Sequence, residues 1–405
     1  MDEVLQKVED NREEMKETLM DLIRIPAIGP DNDGEGEKEK ADFLMKILDD
    51  FGFDSIERYD AEDERVQSGI RPNIVATKEG KVDRSLAIVT HMDIVPEGDL
   101  DEWDTDPFDP VFKDGKIYGR GSEDNGQELV ASIYAVKALS EAEVKPHYTI
   151  KVMMVSDEET GSEYGVKHIL DEGVVDEDDL VIAPDHSEEK GKKIEIVEKS
   201  GLWTKIEVHG KQGHAAMPGQ TVNANRIIAR YQNLVDEELR HEFDDEDDLF
   251  SPPVSTFEPT KRLANVPNVN SVPGKETQFF DCRVLPSISL SKVKKVFRGA
   301  ADEFEDETKA EIDIEYVRES EAPEGTPEDS EVIKDLKSAI EDITFFEPEV
   351  AGIGGGTVAK YFREKDIPTA VWCSNEVLAH QPNEYAVLDY IVRDCKVFAK
   401  MAVKE

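Results

Sequence analysis

At 405 residues the chain is too long for a single hydrophobic core and implies two or three domains. Asp and Glu outnumber Lys and Arg by 92 to 48, for a formal net charge of −44. This excludes nucleic acid and anionic membrane as partners, because phosphate contacts need Lys and Arg.

The acidic excess is spread along the whole chain, as a high-salt cytoplasm would favour, since salt screens self-repulsion; a halophilic origin is expected. No stretch approaches the ~18 consecutive apolar residues that span a bilayer. The N-terminal segment has neither the basic nor the apolar part of a secretory signal. Cys282, Cys373 and Cys395 are too scattered for a disulfide framework or a zinc knuckle. A reduced, cytoplasmic protein is expected.

Apolar residues at helical spacing predict a helix over 3–24, ended by Pro26. A second helix runs through Phe43, Leu44, Ile47, Leu48 and Phe51 and stops at Gly52. The runs 73–77 and 86–90 read as strands, the second ending in His91 with Asp93 two positions on. Both side chains would emerge at a strand's carboxyl end, where open α/β sheets bind ligands. Imidazole is the commonest metal ligand, and a nearby carboxylate can hold its tautomer.

A long connection rich in Pro and Asp, 96–118, reads as an ordered surface loop. Gly119-Arg-Gly-Ser-Glu-Asp-Asn-Gly126 then leads into a helix over 127–139. Asp124, at the helix entrance, reads either as an N-cap or as a ligand. The strand 148–155 ends in a turn carrying Glu158 and Glu159, and the stretch 179–185 is again apolar and ends in Asp185.

From about Lys192 the pattern changes. Segments 193–198 and 202–210 alternate apolar and polar residues, as half-exposed antiparallel strands do. A helix near 222–240 and the acidic run 244–248, read as a solvated loop, come next. A strand over 277–285, a helix from 291 to about 304 and a strand over 312–317 complete an α+β set. These elements predict an inserted domain at 198–316, with 1–197 and 317–405 forming a discontinuous α/β domain.

The C-terminal part resumes α/β rhythm with a helix over 330–342 and Gly352-Ile-Gly-Gly-Gly-Thr357 before a short helix. The glycine cluster matches neither a dinucleotide fingerprint nor a P-loop and reads as a backbone donor loop suited to an anion. A strand over 369–373 runs into Ala379-His-Gln-Pro-Asn-Glu384, and a last helix covers 387–403. His380 thus falls on the sheet edge already holding His91, Glu159 and Asp185.

Two histidines, a central Asp124 and the outer carboxylates Glu159 and Asp185 are what two metal ions sharing one bridging carboxylate would need. Mixed ligation of this kind suits zinc, with manganese or cobalt as alternatives. Neither H-E-x-x-H nor G-x-S-x-G occurs. On such a site a metal-activated water attacks an amide carbonyl, and Glu158 can take its proton and deliver it to the leaving nitrogen. His214 is the candidate oxyanion donor.

The motifs His91-Met-Asp-Ile-Val-Pro96, Gly119-Arg-Gly-Ser-Glu-Asp124, Asp157-Glu-Glu-Thr-Gly-Ser162, Gly213-His-Ala-Ala-Met-Pro218 and Ala379-His-Gln-Pro-Asn-Glu384 together resemble one dinuclear zinc peptidase and deacylase family. It includes acetylornithine deacetylase, succinyl-diaminopimelate desuccinylase, carboxypeptidase G and carnosinase-type dipeptidases. The resemblance implies a zinc-peptidase-like α/β catalytic domain with a central, mostly parallel sheet and a smaller inserted α+β dimerisation or lid domain. It implies two zinc ions per chain, one on His91 and Asp185, the other on Glu159 and His380, with Asp124 bridging. Asp93 would orient His91, Glu158 would be the general base, and a non-proline cis peptide would follow Asp124. His214 would reach the partner subunit's active site in a homodimer. Arg283, with Gly354, Gly355, Gly356 and Thr357, would bind the substrate carboxylate.

Two departures bear on specificity. Asp124-Asn-Gly-Gln127 stands where many members carry Asp-x-Lys-Gly. Asp185, rather than Glu, is usual in dipeptidases and acetylornithine deacetylase. The expected activity is therefore hydrolysis of a small N-acyl amino acid or a dipeptide. A desuccinylase or carboxypeptidase is the alternative within the class, and a non-catalytic scaffold the alternative outside it.

Overall fold

A computed structural model describes residues 1–187 and 190–404. The apolar runs form an eight-stranded sheet in the order Ser55–Glu62, Ile70–Lys78, Thr149–Val155, Ser85–His91, Leu180–Ala183, Thr369–Val371, Lys193–Glu198, Glu349–Ile353. Ser85–His91 pairs in parallel with Thr149–Val155 and with Leu180–Ala183, which in turn pairs in parallel with Thr369–Val371. Ser55–Glu62, Ile70–Lys78 and Lys193–Glu198 join antiparallel. The sheet is mixed, parallel at its centre and antiparallel at its flanks. All residues of Ser85–His91 are buried, which accounts for its unbroken apolar run. Because the four central strands share one direction, their carboxyl ends share one edge.

Helix Gln127–Glu141 is buried almost all round and packs against Asp2–Asp10 and Leu388–Val403. Another cluster joins Val89, Met153, Val181 and Val371 of the strands to Ile169 and Phe362 of the short helices Val166–Asp171 and Ala359–Arg363. Among the described residues, no helix is long and apolar enough to cross a membrane.

The chain divides into two compact units, Met1–Ile196 with Gly325–Ala351 and Thr357–Glu405, and Val197–Glu324 with Gly352–Gly356. The second unit carries an antiparallel sheet in the order Thr256–Arg262, Lys275–Val284, Ser200–His209, Glu311–Ser320. Burial alternates residue by residue along Ser200–His209, as expected of a sheet covered on one face. Helices Ala224–Glu242 and Leu290–Thr308 pack together, with the Tyr231 hydroxyl donating to the Phe297 carbonyl at 2.8 Å.

Several elements differ from the sequence expectation. The first helix breaks at Asn11 into Asp2–Asp10 and Arg12–Ile23, and the Asn11 amide donates to Glu141 at 3.0 Å. The connection 96–118 folds a hairpin, Val111–Lys113 with Lys116–Tyr118, which Tyr385–Val387 extends. Segment 193–198 was expected to be half-exposed but is almost wholly buried in the main sheet. The polar alternation there is deceptive, because Glu195 is paired internally with Arg363 at 2.9 Å. The last strand of the insert runs to Ser320, so position 316 lies inside it rather than at its end.

Candidate metal centre

His91 closes the strand Ser85–His91, and its buried imidazole points at two carboxylates. Nε2 lies 3.0 Å from Asp124 Oδ1 and 3.4 Å from Asp185 Oδ1. A second imidazole does the same from the opposite loop: His380 Nε2 lies 2.9 Å from Glu159 Oε2 and 3.3 Å from Asp124 Oδ2. The five residues form two triads that share Asp124, one oxygen facing each ring. The peptide Asp124–Asn125 is cis.

The ring of His91 is oriented from behind. Its Nδ1–H donates to the Asp93 main-chain carbonyl at 3.0 Å, with the Asp93 carboxylate at 3.5 Å. That bond leaves a lone pair on Nε2 facing anionic oxygens, an arrangement that needs a proton or a cation between them. Burial works to lower the pKa of His91, but Asp124, Asp185 and Asp93 outweigh it and hold the group well above its usual range. Asp124 and Glu159 push His380 up to about 10. Burial would raise Asp124, but the two imidazoles hold it low. Burial and the charge of Asp124 push Glu159 up to about 7. Its Oε1 is buried without a hydrogen-bond partner. An orphaned carboxylate oxygen, two imidazoles and excess negative charge fit divalent cations, which these residues could hold at each triad.

Glu158 stands beside this cluster. Burial and the charge of Asp185 raise its carboxyl well above the usual range, and no described residue hydrogen-bonds it. Its turn is fixed by Asp93, whose two carboxylate oxygens accept the Glu158 N–H at 3.1 Å and the Glu159 N–H at 3.0 Å. Asp93 thus touches His91 mainly through its carbonyl and spends its carboxylate on the turn.

Sequence reasoning missed the supports of the site. Asn125 donates to the Pro184 carbonyl at 2.8 Å and to Asp185 Oδ1 at 3.3 Å. Buried Lys40 donates to the Met92 carbonyl at 2.9 Å, and burial pulls its pKa down to about 8. Arg71 and Glu37 form a buried pair, with Asp157 3.6 Å from the guanidinium. Glu123 and Glu384 tie together the loops that carry Asp124 and His380. The last two stand inside the quoted motifs, which was their only signal.

In the second unit, His214 is exposed, and its Nδ1 accepts the Ala216 N–H at 3.0 Å, which leaves Nε2 as a donor. Arg283 is gripped by Asp281 at 2.7 and 3.1 Å and donates to the Gly354 carbonyl at 3.3 Å. Arg283 and the glycine loop therefore do come together. Gly355 and Gly356 are exposed, and the Glu198 carboxylate lies 3.6 Å from where a Cβ on Gly356 would stand. Thr357, in the first unit, accepts the Ala359 N–H at 3.2 Å.

Two His–carboxylate triads joined through one aspartate, at the carboxyl edge of parallel strands, define a metal-dependent hydrolase. Residues 87–404 match the model of Peptidase family M20/M25/M40, and the chain belongs to this family of metallohydrolases acting on amide bonds. It is similar to an uncharacterized metallohydrolase of Methanocaldococcus jannaschii, 39% identical over 398 residues that cover 93% of this chain and 96% of that protein. A succinyl-diaminopimelate desuccinylase of Nitratiruptor sp. is 29% identical over 367 residues, covering 90% of this chain and 92% of the enzyme. The crystal structure of human carnosine dipeptidase 1 shares the fold, with a TM-score of 0.75 at 19% identity over 99% of this chain and 98% of that one.

Proposed function

We propose that the protein cleaves the amide bond of a small N-acyl amino acid or a dipeptide, using two divalent cations that would share the carboxylate of Asp124. The observation that carries this reading is Asp124, which presents one oxygen to each imidazole, 3.0 Å from His91 and 3.3 Å from His380. His91 and Asp185 would hold one ion, Glu159 and His380 the other, and Asp124 both. Zinc suits the donor set best, with cobalt or manganese as alternatives. When bound, such ions polarise a carbonyl and acidify water.

The residues of the chain do the rest. Glu158, its carboxyl free of hydrogen bonds and held at high pKa, removes a proton from the attacking water and passes it to the leaving nitrogen. Asp93 keeps that base in place. His214, with Nε2–H available, is the donor for the developing oxyanion, contributed across a homodimer. Arg283, Gly354, Gly355, Gly356 and Thr357 receive the substrate carboxylate, with Asp281 sharing the guanidinium. The unit holding the triads is the catalytic domain and the other the lid and dimerisation domain, in a cytoplasmic enzyme.

Asp185, by the resemblance, favours a dipeptidase or an N-acetyl amino acid deacetylase. A second reading, succinyl-diaminopimelate desuccinylase, is favoured by the 29% identity to the Nitratiruptor enzyme. The test is to load metal-free protein with zinc and assay N-acetylornithine, short dipeptides and N-succinyl-diaminopimelate. About two ions per chain and turnover abolished by a chelator are expected. Turnover indifferent to the chelator, or no bound ion, refutes the reading.

A further inference from the structure

The loops that carry Asp124 and His380 are locked to one another by two buried glutamates, each belonging to one loop and gripping the backbone of the other. Glu384 is 0% exposed. Its Oε1 accepts the N–H groups of Glu123 at 2.9 Å and Asp124 at 3.1 Å. Its Oε2 accepts the Gly121 N–H at 3.1 Å and the buried Arg120 guanidinium at 2.7 Å. In the opposite direction, Glu123 accepts the Glu376 N–H at 2.6 Å and the Leu378 N–H. A buried carboxylate that has lost its water is stable only when its acceptor sites are filled in this way.

The two triads depend on this arrangement unequally. His91 ends a fully buried core strand, and Asp185 follows the buried strand Leu180–Ala183 by two residues. His380 has no such support. Its side chain is 55% exposed, and Val377, His380 and Asn383 all sit in the left-handed region, at φ 62°, 65° and 59°. Packing cannot hold such a segment, so hydrogen bonds from outside it must.

We infer that Glu123 and Glu384 are positioning residues that set the spacing of His380 from Asp124, and so govern the cation site of His380 and Glu159 more than that of His91 and Asp185, which meets the clamp only through Asp124. The inference rests on the two-cation reading above. Strand Tyr385–Val387 is also paired with Lys116–Tyr118 by main-chain hydrogen bonds that neither carboxylate makes. Removing a partner that orients a metal ligand lowers metal affinity by about 10- to 100-fold.

The experiment titrates zinc alone into the metal-free full chain by calorimetry, for wild type, Glu384→Gln and Glu123→Gln. Glutamine in place of Glu384 turns an amide NH2 toward one of its two pairs of donors, either Glu123 and Asp124 or Gly121 and Arg120, while Glu123→Gln disturbs only the grip on Glu376 and Leu378. In each variant one of two ions should bind about 10- to 100-fold more weakly, and the other should be weakened less. Glu195→Gln is the control: Glu195 is equally buried against Arg363, so its loss should lower the melting temperature yet leave both ions in place. Wild-type affinity at both sites in both variants overturns the clamp, and so does equal weakening of the two ions. Absence of any zinc binding by the wild type is a separate result, which removes the two-cation reading and the clamp with it.

Discussion

Asp93→Asn isolates the part of the site that aims the proposed base. The substitution keeps the main-chain carbonyl, and with it the 3.0 Å bond from His91 Nδ1. It removes one of two carboxylate acceptors, so either the Glu158 N–H or the Glu159 N–H now faces an amide NH2 at a position only 1% exposed. A hydrogen bond to a charged acceptor contributes about 1.5–3 kcal/mol, and a buried N–H left unpaired costs about 1–3 kcal/mol. The two overlap, so local opening of the turn should become easier by about 2–4 kcal/mol. At about 1.4 kcal/mol per factor of ten, amide exchange there accelerates about 30- to 700-fold. Native-state hydrogen exchange read on a peptide covering 157–161 measures this directly. Turnover should fall in parallel, since Glu158 rides on the loosened turn. Unchanged exchange at 158 and 159 would refute the reasoning, as would equal acceleration in the distant helix Gln127–Glu141.

Glu158→Ala should keep its bound cations and lose about 10²- to 10⁴-fold in turnover, measured as product release at saturating substrate. A near-normal rate would remove Glu158 as the base. Arg283→Lys should raise KM by about 10- to 100-fold with little change in kcat, because an ammonium cannot reproduce the fork that meets both Asp281 and a carboxylate. An unchanged KM would take Arg283 out of the substrate site. The 92 acidic against 48 basic residues predict a melting temperature that rises between dilute and molar potassium chloride. A flat profile would count against adaptation to high salt.

The chemistry of the site was legible wherever a polar residue interrupted an apolar run. His91 stood at the end of such a run, and Asp185 followed another, because strands buried on both faces leave no other place for a charge. Edge strands were not legible. Ser55–Glu62 and Thr256–Arg262 are largely solvent-facing and carry charges, so no apolar period marks them. Glu195 misled for the opposite reason, since its partner Arg363 lies 168 residues away. Glu123 and Glu384 were hidden in the same sense. Among 92 acidic residues nothing local separates a buried carboxylate from a solvated one, and the backbone donors that bury Glu384 lie some 260 residues from it.

By itself the chain determined which side chains could do chemistry, and that all but Asp124, which stands at a helix entrance, would follow a strand, because hydrophobic periodicity is a local property. Which imidazole meets which oxygen was decided only in three dimensions. The parallel register of the central strands sets His91 beside Asp185 at 3.4 Å, and bonds between distant loops bring His380 to within 3.3 Å of Asp124. Neither relation is written in the spacing of residues along the polypeptide, since both arise from hydrogen bonds between segments far apart in sequence.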